Sequence, residues 1–309
     1  MSIPPVSLHT ILSESNRIIK EHSLHFKVLG VLFLVPISYS ISLYPILKPQ
    51  LLLLDQKSLI LALSYTAFVF VLSLCATSSI TYSVFKGFYG RPVKFVSAIK
   101  SIFNSFLPLF VTTSLCHIIL SGVLVIFAVF LFSVVKFAEV VGFDQYEYSS
   151  PYFICFGLVI LIVYLFVLVY LGVKWSLVPV IVVVESSWGV KALKRSASLI
   201  NEYKSTGLSL YLYFLMMTAQ LVWISSLGST TLFGMDFDDK WDLALVFLSL
   251  TTTHLLIIWV FLACVAANTV LYIHCKAVVN GEIISEDFFA KEYVSLPFDD
   301  GKVPLLKGY

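Results

Sequence analysis

The chain has 309 residues, of which 59% are hydrophobic and 12% charged, with a mean hydropathy of +0.95. Soluble domains carry about 25% charged residues, so these values exclude a water-soluble globular class and point to an integral membrane protein. The 20 Lys and Arg against 18 Asp and Glu leave a net charge of +2, without the excess that a nucleic-acid-binding face requires.

In chain order, the first expected element is an amphipathic helix near residues 8–22. Ile11, Leu12, Ser15, Ile18 and Ile19 share one face at spacings of three and four, and His9 and Arg17 lie on the other. An apolar run at 28–47 follows, long enough to cross roughly 30 Å of hydrocarbon at about 1.5 Å per residue. Glu14 and Glu21 ahead of it are unlike the short basic region of a cleavable signal. A second run covers 58–85. Near 92–104 the amphipathic pattern returns offset for offset, with Phe95, Val96, Ile99, Ile102 and Phe103 on the apolar face and Lys94 and Lys100 on the polar one. Runs at 105–134 and 152–184 come next. A third copy at 188–203 sets Ala192, Leu193, Ser196, Leu199 and Ile200 against Lys191, Lys194 and Arg195, and the last runs are 206–232 and 243–275. Strand-like alternation is absent, which argues against a barrel.

The fold expected is therefore all-α: a polytopic membrane helix bundle of six spanning helices with three in-plane amphipathic helices on the cytosolic side. It divides into three units starting near residues 6, 92 and 187, each an amphipathic helix followed by two spans. Residues 1–285 form the membrane domain and 286–309 a short cytosolic tail. Sidedness comes from the basic residues. Arg17, Lys20, Lys27, Lys86, Arg91, Lys94, Lys100, Lys191, Lys194, Arg195, Lys204, Lys276, Lys291, Lys302 and Lys307 fall on one side, against Lys48, Lys57, Lys136 and Lys240 on the other. Both termini are thus expected in the cytosol, in the endoplasmic reticulum, another endomembrane or the plasma membrane. Lys94, Lys100, Lys191, Lys194 and Arg195 become candidate contacts to membrane lipids. All five cysteines lie in or at the end of apolar runs, so no disulfide framework is expected, and Cys275 suits either packing at a helix end or palmitoylation.

The fourth run holds Lys174 and Pro179 and would measure about 50 Å as one straight helix. Something in it must tilt, kink or protrude. In one reading Lys174 and Trp175 form an interfacial anchor pair and "SLVPVIVVVE" extends past the bilayer toward Glu185. In the other, Lys174 is buried in hydrocarbon, where a charge costs at least about 2.5 kcal/mol and needs a partner.

Two short stretches, "WSLVPVIVVVESSWGVKALKRSASLI" and "NTVLYIHCKAVVNGE", resemble a plant family of uncharacterised multi-pass membrane proteins. Trp175, Ser176, Leu177, Glu185, Gly189, Ala192, Leu193, Ser196, Leu199 and Ile200 match its pattern in the first stretch, and Tyr272, Cys275 and Lys276 match it in the second. Pro179 and Trp188 are departures. More distantly the arrangement is similar to the membrane domain attached to some bacterial glycerophosphodiester phosphodiesterases, a region without the catalytic site. The resemblance implies a fold and a membrane location and no activity.

No metalloprotease, redox, nucleophile-elbow or phosphate-loop pattern occurs, and no catalytic, cofactor or metal residue is assigned. The acidic "DFDDKWD" at 236–242 lacks the spacing, the glycine and the closing Glu of a calcium loop, and Asp242 reads as a helix cap. Within the spans the polar residues are His117, Gln220, His254 and Asn268, which with Lys174 form a candidate polar path. Such groups more often hydrogen-bond one helix to another. Three functions remain open. They are a non-enzymatic protein that organises lipid or protein partners, a transporter of a small solute or lipid along the polar path, and an intramembrane enzyme, which has no motif behind it. No cofactor is called for.

Overall fold

The computed structural model describes residues 7–41, 43, 56–140, 151–234 and 240–279. Every element among them is helical. In our numbering they are α1 (Leu8–Glu21), α2 (Ser23–Ile41, with a π-helical turn at Gly30–Leu34), α3 (Gln56–Phe88) and α4 (Phe95–Val140). The rest are α5 (Pro151–Trp175), α6 (Val178–Glu185), α7 (Val190–Leu199), α8 (Lys204–Gly234) and α9 (Lys240–Val279). Six helical stretches are long and apolar enough to cross a membrane: Ser23–Ile41, Gln56–Phe88, Phe95–Phe137, Ile154–Glu185, Lys204–Gly228 and Phe247–Val279. The 236–242 loop, apart from the helical backbone of 240–242, and the 286–309 tail lie outside the described residues.

The core sits at one end of the bundle. There α1, the C-terminal halves of α3 and α9, the start of α4, and α6 and α7 pack together, with Ile11, Phe26, Ile80, Phe88, Ile181, Leu199 and Tyr272 all removed from solvent. Small residues permit the close approach: Ala76, Ser78, Ser79 and Ser83 on α3, and Ala266 and Ala267 on α9, are buried. The α3 hydroxyls are satisfied largely inside their own helix. Ser79 donates to the Cys75 carbonyl at 2.9 Å and Ser83 to the Ser79 carbonyl at 2.7 Å. Side-chain bonds then join the helices: His25 Nε2 to Ser83 Oγ at 2.9 Å ties α2 to α3, and His274 Nε2 to Glu14 Oε2 at 3.0 Å ties α9 to α1.

α1 and α7 are separate amphipathic helices, and both turn their apolar faces onto this core. Ile11, Ser15 and Ile18 of α1, and Ala192, Leu193, Ser196 and Leu199 of α7, are buried in protein. The middle copy differs from expectation. It is the beginning of α4, which runs without interruption from Phe95 to Val140 through Pro108, because nothing between Phe95 and Leu107 breaks the helix. Its buried face is also displaced. Ala98, Ile102 and Ser105 face the core, whereas Phe103, on the expected apolar face, is 79% exposed. The spacing of four and three matches Ile11, Ser15 and Ile18, but three residues later than the apolar pattern indicates. In a helix that continues into an apolar span, large residues such as Phe103 have hydrocarbon as an alternative to the protein core, and the small ones take the contact.

The fourth run is broken, as its length requires. α5 ends at Trp175, a turn at Ser176–Leu177 follows, and Pro179 sits in the first turn of α6, where its missing N–H costs nothing. α6 does not extend into solvent. Val178 and Val180–Val184 are buried against α3, α4 and α9. A run of β-branched residues forms a helix here because burial on all sides outweighs its weak helix propensity.

Candidate functional site

The stretch from Lys174 to Asn201 is held at both ends by specific polar contacts. Breaking the helix after Trp175 leaves the Lys174 carbonyl without an intrahelical donor, and Ser196 Oγ of α7 donates to it at 2.7 Å. The Lys174 ammonium donates to Asn201 Oδ1 in the turn before α8 and lies 5.7 Å from the centre of the Tyr170 ring. Lys174 is half-buried at a helix end, in contact with polar and aromatic groups. α6 terminates at Ser186 in the left-handed region (φ 51°), and Gly189 follows at φ 65°, ψ −145°, a backbone conformation open essentially to glycine alone. The Gly189 N–H donates to Thr112 Oγ1 of α4 at 2.8 Å, which locks the turn to the bundle.

This turn places Glu185 at the floor of an open cleft of about 630 Å³, lined by Glu185, Ser187, Lys191, Lys194, Arg195, Ser198 and Lys276. Glu185 Oε1 accepts from the buried Tyr272 hydroxyl of α9 at 2.7 Å, and its Oε2 lies 3.6 Å from Arg195 Nε. Lys276, one turn beyond Tyr272, holds its ammonium 5.9 Å from that ring's centre. Ser198 directs its hydroxyl to the Arg195 carbonyl at 2.8 Å. Ser187 Oγ is shielded from solvent and has no hydrogen-bond partner among the described residues. Four cations against one carboxylate make the cleft strongly electropositive, and they come from two elements remote in sequence. Chemically the arrangement suits recognition of an anion. No group of three or more His, Cys, Asp or Glu side chains that could hold a metal is present among the described residues.

The polar residues of the spans have separate partners. His117, exposed on α4, bonds through Nδ1 to the Thr113 carbonyl at 2.8 Å and meets the edge of Phe70. His254 is buried on α9 with its ring 4.3 Å from that of Tyr39. Asn268 donates to the Cys264 carbonyl at 2.9 Å, and Gln220 is exposed on α8. On α9, His254 and Asn268 are fourteen residues, about 21 Å, apart along the helix axis. None of the described hydrogen bonds or ring contacts joins one of these residues, or Lys174, to another.

Of the basic residues expected at a membrane surface, Lys94, just before α4, and Lys100, on it, are exposed and outside the cleft lining, and Lys191, Lys194 and Arg195 line the cleft. The sequence patterns assigned Glu185, Ser187, Ser198 and Lys276 to no site. The signal lay in the two short motifs: Glu185 and the α7 lysines belong to one, Tyr272 and Lys276 to the other, and the fold brings the two together through the Tyr272–Glu185 bond. No curated protein and no solved structure shows detectable similarity to the chain. Residues 50–296, most of the chain, match the family described as a domain of unknown function, DUF8558, and the chain belongs to that family.

Proposed function

We propose that this is a non-enzymatic, multi-pass membrane protein that organises lipids at the cytosolic surface, with the packed end of the bundle and both termini on that side. The observation that carries the reading is the placement of α7. Its apolar stripe is buried on the core, so Lys191 and Lys194 project outward where the fourth and sixth apolar stretches end, at Glu185 and Val279. Juxtamembrane cations attract anionic lipids by about 1 kcal/mol each. α1 and α7 lie along the interface, docked on protein as well as bordering headgroups. Buried hydroxyls of the packed end bond within their own helices, as at Ser79, Ser83 and Thr269, or to a neighbouring helix, as at Ser78, Ser196 and Tyr272, which favours a closed scaffold over a conduit.

Two measurements test this. In sealed microsomes, an impermeant thiol reagent added from the cytosolic side should modify Ser198→Cys quickly and Leu199→Cys slowly, since Ser198 is the more accessible and Leu199 is buried. Protection of both positions would reverse the sidedness and remove the reading. In planar bilayers, the full chain should slow lateral diffusion of a labelled anionic lipid in the leaflet facing α7, without altering the lipid or moving it between leaflets. Chemical conversion or leaflet exchange would replace a scaffold by an enzyme or a transporter.

A further inference from the structure

The cleft has more structure than diffuse attraction to a charged leaflet requires. Lys191, Lys194 and Arg195 come from α7 and Lys276 from α9, and they surround a floor at Glu185 and Ser187. Among the described residues neither Lys191 nor Lys194 has a carboxylate within salt-bridge distance, whereas Glu185 is already engaged by Tyr272 and Arg195. Ser187 adds a shielded hydroxyl without a partner among those residues, a donor suited to a phosphate oxygen. Flanking these groups, Trp188 and Val190 hold large apolar side chains exposed to the surroundings. A cationic cleft with an unmet donor and an apolar rim, at the level where two spans end, fits an amphiphile whose head is an anion and whose tail lies in the bilayer.

We infer that this cleft binds the phosphomonoester headgroup of a membrane lipid. A phosphomonoester carries between about one and a half and two negative charges near pH 7, with three oxygens free to accept charge-assisted bonds. A simple diester offers one charge and two terminal oxygens, and a serine headgroup offers one net charge divided between a diester and a carboxylate, with an ammonium that the lining cations repel. The excess of three cations over carboxylate in the lining therefore selects the doubly charged head. The inference rests on the reading that this face meets a membrane leaflet, and it adds a defined site and a ligand class to it.

The test is native mass spectrometry of the full chain in detergent, titrated separately with phosphatidic acid, phosphatidylserine and glycerol 3-phosphate. Phosphatidic acid should be retained at least about tenfold more tightly than phosphatidylserine. Lys191→Gln with Lys194→Gln, both at the cleft surface, should remove about tenfold of that affinity, and Ser187→Ala should weaken it several-fold. Lys94→Gln with Lys100→Gln, equal in charge but outside the cleft, should leave it unchanged. Equal binding of phosphatidylserine, or equal losses in the two double variants, would overturn a defined site in favour of general electrostatics. Glycerol 3-phosphate binding as tightly as the lipid would overturn the lipid assignment in favour of a soluble phosphate ester. The thiol labelling of Ser198→Cys separates the two levels. Cytosolic labelling without a phosphatidic acid preference defeats the site alone, and luminal placement of α7 defeats the reading beneath it.

Discussion

α3 is a single helix whose two halves live in different surroundings. From Leu59 to Phe68 it is apolar and outward-facing, with Ile60 60% exposed, whereas from Leu74 onward it is embedded, with Ile80 at 0%. α9 repeats the division. Phe247, Leu248, Leu255 and Trp259 are exposed, while Ala263, Ala266, Ala267 and Val270 to Ile273 are buried. In α3 small residues are densest in the inner half, with Ala76, Thr77, Ser78, Ser79, Thr81 and Ser83 close together, whereas α9 carries them in both halves, Ser249 and Thr251 to Thr253 in the outer one and Ala263, Ala266, Ala267 and Thr269 in the inner one. In a bilayer hydrophobicity alone does not draw helices together, because lipid is as apolar as leucine; packing and close approach do. In α3 the packed end is where small residues are densest and are buried, and that end is also where the cleft is built.

Matched substitutions in α3 give the largest expected contrast. Ile80→Ala should lower unfolding stability of the full chain by about 2–5 kcal/mol, through lost contacts and a residual cavity. Ile60→Ala, the same change twenty residues earlier, should cost about 0.5 kcal/mol or less. Similar losses at both sites, measured by chemical unfolding in one detergent, would mean that the outer half is also packed against protein.

Two glycines sharpen the comparison through the sign of the effect. A Cβ at Gly87 would meet Ile18 Cγ2 at 2.8 Å and His22 Cδ2 at 3.3 Å, and Ile18 is buried and not free to withdraw. Gly87→Ala should therefore cost about 1–3 kcal/mol as α1 is pushed off α3. At Gly122 in α4 nothing lies within 4 Å of the added carbon, and Ala there should raise stability by up to about 1 kcal/mol from helix propensity. Stabilisation at Gly87 would show that α1 is docked loosely.

Tyr272→Phe removes the hydroxyl that donates to Glu185 and nothing else of the ring. A hydrogen bond to a carboxylate contributes about 1.5 kcal/mol or somewhat more, so the thermal midpoint should fall measurably while the fold persists. No change would mean that water serves Glu185 equally well. The smallest effect is expected at Lys174. Its ammonium is half-buried and bonded to a turn residue, so Lys174→Leu should stay within about 0.5 kcal/mol of the parent. A collapse of folding would make that charge a required part of the interior.

Much of this architecture is legible in the order of residues along the chain. The apolar runs at 58–85 and 206–232 correspond to helices over Gln56–Phe88 and Lys204–Gly234, and the excess length of 152–184 together with Pro179 announces a break that falls at Ser176–Leu177. The amphipathic patterns near 8–22 and 188–203 correspond to α1 and α7 because each is short and bounded by turns, so one face must be buried on protein or lipid. At 92–104 the same pattern misleads by three residues. That segment continues into α4, and Phe103 is free to stay on the outside. The α7 lysines are visible as a basic face, but nothing local marks Lys276 and Glu185 as their neighbours.

The sequence by itself determined which segments are helical and apolar enough to leave water, because transfer free energy and backbone hydrogen bonding accumulate locally along the chain and need no knowledge of distant residues. Only the tertiary structure decided which half of α3 and α9 is buried, that a valine-rich segment ends as the enclosed helix α6, and that Tyr272 and Lys276 stand beside Glu185 and α7. The Tyr272–Glu185 bond joins residues 87 positions apart, and a contact of that kind is a property of two surfaces fitting, which neither segment contains alone.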